Sequence, residues 1–112
     1  MQVHLTKRFF FSASYSRAAR VHAHNYTLGV TVTLPDEDYD ESFLEARVRE
    51  TLVDKVHSRD LGLHVDFLKG CSITELSLVT VFWGIVKKAV APAELVSLTL
   101  EKDKTSQWTL RS

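Results

Sequence analysis

The sequence predicts an α+β domain of order β-β-α-α-β-β, in which a four-stranded antiparallel sheet carries two helices on one face. Three observations predict it. The first third of the chain alternates apolar and polar residues, the middle repeats apolar residues at helical spacing, and the last segments alternate again. Runs of strands set apart from runs of helices define this class. The 112 residues point to one domain, residues 1–112, with a modest core.

Residues 2–14, "QVHLTKRFFFSAS", place Val3, Leu5, Phe9, Phe11 and Ala13 on one parity, interrupted by Lys7. Period-two alternation with aromatics marks a strand. Residues 22–34 alternate more cleanly: Tyr26, Leu28, Val30, Val32 and Leu34 point one way, Asn25, Thr27, Thr31 and Thr33 the other. The connection "YSRAAR" is short, so the two strands pair antiparallel. Pro35 and "DEDYDE" end the second strand in a solvated acidic turn. In residues 41–56, Leu44, Val48, Leu52 and Val56 recur every four positions behind an acidic start, which predicts an amphipathic helix. Residues 57–73 form a long connection containing Gly62 and Gly70. Residues 73–90, "ITELSLVTVFWGIVKKAV", read as a second helix on length, although the β-branched residues and Gly84 oppose it. Pro92 closes it. Residues 95–101 and 106–111 read as strands joined by the polar turn "KDKT". Such a sheet has two open edges, which favours pairing with another subunit.

Composition narrows the function classes. Apolar residues make up 45% and charged residues 25%, as in ordinary globular domains. Fourteen basic residues balance fourteen acidic ones, and without a basic stripe nucleic-acid binding has little support. The single cysteine, Cys71, excludes an internal disulfide and suggests a reducing compartment. No leader-like segment and no membrane-length apolar run is seen, so a cytoplasmic, non-membrane protein is expected.

"RVHAHNYTLGV", residues 20–30, is the segment that carries chemistry. On a strand, His22 and His24 share a face about 7 Å apart. Zinc accepts neutral imidazole, but a catalytic zinc normally takes three protein ligands and a water. H-x-H alone therefore leaves two readings open: a partial metal site, or two polar residues at a strand end.

"FSASY" followed by "HAHNYTL" resembles the 6-pyruvoyl-tetrahydropterin synthase and 6-carboxytetrahydropterin synthase family. The likeness continues through "DESFLEARVRETLVDKVHSRDL" and "LTLEKDKTSQW". It implies the tunnelling fold, with trimers that pair into hexamers and a site for a small pterin. The family eliminates triphosphate from 7,8-dihydroneopterin triphosphate with a zinc held by three histidines, a proton-transferring cysteine and an Asp-His pair. Carried over, His22 and His24 match two zinc ligands, and Tyr15 stands at the third. Phenols ionise near pH ~10, so tyrosine is a poor zinc ligand. "SRAARV" offers Ser16, Ala18 and Ala19 but no thiol. The Asp-His pair falls on His57 and Ser58, which makes His57 the residue to test as a proton carrier. Glu101 matches the glutamate that anchors the pterin's guanidine-like edge. The family's Thr-x-Glu falls near Thr74 and Glu75, either of which takes the glutamate place. The resemblance thus leaves three expectations: a zinc lyase acting on 7,8-dihydroneopterin triphosphate with a proton carrier from outside the family pattern, the favoured pterin-binding protein with altered or absent catalysis, or a metal-free partner subunit.

Overall fold

The structure is a computed structural model that describes residues 2–112. Its strands are β1 (His4–Arg17), β2 (Arg20–Thr33), β3 (Arg59–Asp60), β4 (Glu94–Lys102) and β5 (Ser106–Arg111). The helices are α1 (Glu41–Val48), α2 (Asp54–Val56) and α3 (Glu75–Val90). The π-helical segment Arg49–Val53 fuses α1 and α2 into one rod. Two helical rods therefore cover one face, as expected. The sheet has five strands, not four, in the order β3-β1-β2-β4-β5, and it is mixed because β3 runs parallel to β1. No periodicity marks a two-residue strand, so β3 lay hidden in the long connection. Its anchors are main-chain hydrogen bonds: Ser58 N–H donates to Ser12 O at 2.6 Å and Leu61 N–H to Ser14 O at 2.7 Å.

The six-residue connection expected between the first strands is almost all strand. Pairing runs without interruption from His4↔Thr33 to Arg17↔Arg20. Only Ala18 and Ala19 turn the chain, and both have positive φ, 53° and 62°. Two-residue hairpin turns require that conformation, and it is normally filled by Asn-Gly because a Cβ opposes it.

One core fills the space between the sheet and the rods. Phe9, Phe11, Tyr26, Leu28, Val30, Leu98 and Leu100 meet Leu44, Leu52, Val56, Leu78, Phe82 and Val86. The four-residue spacing has a structural consequence. In an α-helix, positions four apart drift by about 40° per step, and the wider π turn absorbs that drift. Leu52, Val53 and Val56 all remain buried. Lys7, the interruption on the core face of β1, reaches α1, where its Nζ lies 2.7 Å from Glu41 and 3.7 Å from Glu45. Tyr39, expected in a solvated turn, instead donates its hydroxyl proton to Val90 O and packs edge-on against Phe43. Asp40 caps α1 and Thr74 caps α3, each accepting from a backbone N–H of the first turn.

Among the described residues no layer covers the opposite sheet face. It carries Thr6, Ser12, Asn25, Thr27, Thr31, Thr99 and Glu101, together with Phe10, which is 69% exposed. At Gly29 a Cβ would lie 2.4 Å from Thr99 Oγ1, so a larger residue there would force the Thr99 hydroxyl aside. No helix among the described residues is long and apolar enough to cross a membrane.

The turn yields a stability prediction. Replacing Ala18-Ala19 with Asn-Gly relieves two left-handed alanines and should stabilise the fold by about 1–2 kcal/mol. A urea melt checks this: the midpoint should rise with an unchanged slope. An unchanged midpoint would show that the alanines carry no strain.

Candidate functional site

The pleat of β2 sends alternate residues to opposite faces, and it divides the expected site residues. His22, His24 and Tyr26 project toward the helices, whereas Asn25 and Thr27 project to the bare face. Tyr15 sits directly across from His22 in the register and is 7% exposed. Its ring stacks on His22, with centroids 5.2 Å apart and planes 18° apart, and lies 6.0 Å from His24. The guanidinium of Arg17 covers Tyr15 at 5.7 Å and donates to Ile73 O at 3.0 Å. This arginine ties the hairpin to the segment that leads into α3.

Asp103, in the β4–β5 turn, completes the surroundings of His24. Its Oδ2 lies 2.6 Å from His24 Nδ1, and its Oδ1 accepts from Asn25 N–H at 2.9 Å. The Asn25 hydrogen bond, followed by the one to His24, holds the Asp103 carboxyl below its ordinary value. The sequence reading treated "KDKT" as a turn alone. Asp103 was missed because its link to His24 spans 79 residues.

Tyr26 and Glu75 lie next along the same face. The Tyr26 hydroxyl and Glu75 Oε1 are buried, and neither has a hydrogen-bond partner among the described residues. Lys102 Nζ approaches Glu75 Oε1 at 3.3 Å and sits 5.5 Å over the Trp108 ring. That approach is an ion pair without hydrogen-bond geometry, so the carboxylate edge keeps capacity for a donor. Glu75 is therefore turned in against the sheet, with a side chain 13% exposed. Both functions of Thr74 are used by its neighbour: its Oγ1 accepts from Ser77 N–H at 3.1 Å and donates to Ser77 Oγ at 3.0 Å.

Tyr15, His22 and His24 are the residues that would hold zinc. Among the described residues no three His, Cys, Asp or Glu side chains gather as a metal set. The two imidazole centroids are 6.5 Å apart, with planes 17° apart. A ring nitrogen lies about 1.2 Å from its centroid, so the two nearest nitrogens stay at least about 4 Å apart, whereas tetrahedral zinc brings its nitrogens to about 3.4 Å. As placed, the three rings form a stack and do not fit a tetrahedral ion.

Glu101 belongs to the bare face, and His57 sits at the β1 edge of the sheet, just before β3. Glu101 lies beside Thr27, which in turn lies beside Phe10, so the three form one row across β4, β2 and β1. Among the described residues no hydrogen bond or ion pair holds the Glu101 carboxylate. His57 follows α2 and accepts the Ser12 N–H at its Nδ1, at 3.1 Å. The structure thus gathers Tyr15, His22, His24 and Glu75 on one side of the sheet, sets Glu101 on the other, and leaves His57 at the β1 edge. Cys71 is an exposed free thiol.

This geometry belongs to a known class of architecture. The chain superimposes over its full length on 6-pyruvoyl tetrahydropterin synthase from Caenorhabditis elegans, with a TM-score of 0.85 at 20% identity, covering 96% of that chain. It also superimposes over its full length on an uncharacterised protein from Wolinella succinogenes, with a TM-score of 0.71 at 13% identity and 99% of that chain covered. No family model and no curated protein sequence matches the chain. The fold is the tunnelling fold of 6-pyruvoyl tetrahydropterin synthase.

Buried Tyr26 gives a pH prediction. Burial first, and then the Glu75 carboxylate, push its phenol well above its ordinary value of 10.0. The unfolded chain releases this proton more readily, so stability is fully present below pH 10.0 and falls as pH rises above it. Lys7, raised chiefly by its hydrogen bond to Glu41, acts in the same direction above 10.5. Tyr26→Phe should stay within about 1 kcal/mol of wild type at neutral pH, because it removes an unpartnered hydroxyl. Melts at about pH 8 and about pH 11 should show a smaller alkaline loss in the variant. Equal losses would remove Tyr26 from the account.

Proposed function

We propose that this chain is a pterin-synthase-like protein that binds a flat pterin-type ring on the bare sheet face and lacks the family's usual catalytic set. The observation that carries this reading is the free carboxylate of Glu101 in one row with Thr27 and exposed Phe10. The row crosses two strand spacings, about 10 Å in all. A ring laid against Phe10 brings its aminopyrimidine-like edge toward Glu101, and a carboxylate accepts two N–H groups from such an edge.

Catalysis by the family's route lacks support in these residues. Tyr15 replaces the third histidine, no thiol precedes His22, and His57-Ser58 stand where an Asp-His pair is needed. Groups that act as a unit fail together. With Nδ1 engaged by Ser12, the neutral His57 ring offers a proton but cannot accept one there. Assembly with further copies fits the open edges, since β3 covers β1 only at Ala13 and Ser14, and β5 closes nothing beyond itself. A second reading places the ring on the helix side, against the free edge of Glu75, because buried unpartnered acceptors are uncommon.

Two measurements test these readings. A pterin such as neopterin should raise the Tm of wild type, and Glu101→Gln should weaken binding by about 10- to 100-fold, as expected when a charged acceptor is lost. If Glu75→Gln shows that loss and Glu101→Gln does not, the helix-side reading replaces the first. Protein purified without chelator should carry well under one zinc per chain and keep its Tm in EDTA. A full equivalent of zinc, released in His22→Ala, would restore the metal site.

A further inference from the structure

The two ends of the long hairpin carry opposite charge and matching apolar surface. At the closed end, the turn at Ala18-Ala19 sets out Arg20 and Val21, both exposed. Among the described residues no hydrogen bond or ion pair holds the Arg20 guanidinium, whereas Arg17 is already engaged with Tyr15 and Ile73. At the open end, where pairing begins with His4↔Thr33, a groove of about 550 Å³ is lined by Gln2, Val3, Thr33, Leu34, Asp36 and Glu37. Leu34 is half-buried against the core, so the groove has an apolar floor beside two acids. Asp36 accepts the Asp38 N–H on one oxygen, and no cation lines the groove among the described residues.

Val3 and Val21, 74% and 73% exposed, are the two most exposed large apolar side chains among the described residues. Single exposed apolar residues are ordinary. Here each sits beside unpaired charge, and the two charges are of opposite sign. A strand of fourteen residues is about 45 Å long, and the molecule's longest extent is 50 Å. The tip therefore cannot reach the groove of its own chain, but another copy can bring it there. With fourteen basic and fourteen acidic residues, no net charge keeps the copies apart.

We infer that the hairpin tip of one copy seats in the groove of a second, with Val21 against Val3 and Leu34 and Arg20 against Asp36 and Glu37. The contact joins two different patches, so it repeats from copy to copy until a ring closes. It uses neither edge of the sheet, and it needs neither Glu101 nor a bound ring. A contact this small belongs to the weak, transient class, below about 1,200 Å².

Sedimentation velocity of the full chain tests it. Wild type should gain mass as its concentration rises toward about 1 mM, beyond any assembly that the sheet edges hold. Raising salt from about 50 to about 500 mM should weaken that gain, because exposed charges are screened. Val21→Asp disables the tip and Val3→Asp the groove. Both positions are exposed, so the fold should stand. Each variant alone should associate at least about tenfold more weakly, as the loss of one buried valine contact predicts. Mixed one to one, the intact groove of the Val21→Asp chain should take the intact tip of the Val3→Asp chain and restore a pair. A contact between like surfaces, or along the sheet edges, would show no such rescue. No concentration-dependent gain in wild type, an unchanged gain in both variants, or a mixture that stays apart would overturn the proposal. So would uptake of a peptide of residues 16–23 by a chain that does not associate with itself, since the groove would then serve a different protein.

Discussion

The register of the β1–β2 hairpin is the constraint on which the rest of the structure depends. Side chains alternate along a strand, so a slip of one residue would exchange the two faces. Phe9, Phe11, Leu28 and Val30 would leave the core, and the Tyr15–His22–His24 stack would trade places with Ser14, Ala23 and Asn25. The buried run holds the register from the middle, and the two-residue turn at Ala18-Ala19 holds it from the end. Because β2 is also the partner of β4, the same register decides that Glu101 faces away from the helices and Lys102 faces toward them.

The two faces follow different chemistry. On the helix side, burial of large apolar side chains supplies the driving force, and the few polar groups there are awkwardly placed. Lys7 is tethered to acids on α1, Glu75 is only ion-paired, and the Tyr26 hydroxyl has no partner among the described residues. On the bare face, short polar side chains pair across strands, as Thr6 does with Thr31 and Ser12 with Asn25. Such pairs bring little stability but place donors and acceptors accurately.

Much of the fold was legible because it rests on periodicity. Alternation marked β1, β2, β4 and β5, and the four-residue spacing of Leu44, Val48, Leu52 and Val56 marked the first rod. The π segment inside that rod was not legible, because the same spacing also suits an unbroken amphipathic α-helix. Strand β3 was not legible, because it exists through three-dimensional hydrogen bonds to Ser12 and Ser14 rather than through its own residues. For the site, the residue types were visible and their sides were not. His24 with Asp103, and Tyr26 with Glu75 and Lys102, join distant segments that no spacing rule connects. The alternation set Phe10 apart from Phe9 and Phe11, but nothing in the sequence showed that its face is left uncovered beside Glu101.

The length of the hairpin has a dynamic consequence. Both strands run fourteen residues, yet the tip where they meet, Arg17 to Val21, is exposed. Little more than the Arg17 contact with Ile73 and the aromatic stack below it holds that end in place. Amide exchange there reports local fraying rather than global unfolding. The hairpin thus behaves as a beam clamped at Phe9–Phe11 and loose at its tip. The stacked rings sit at the junction, so fraying that stays beyond them leaves the core intact, and fraying that reaches them uncovers Tyr15, the last buried side chain of β1.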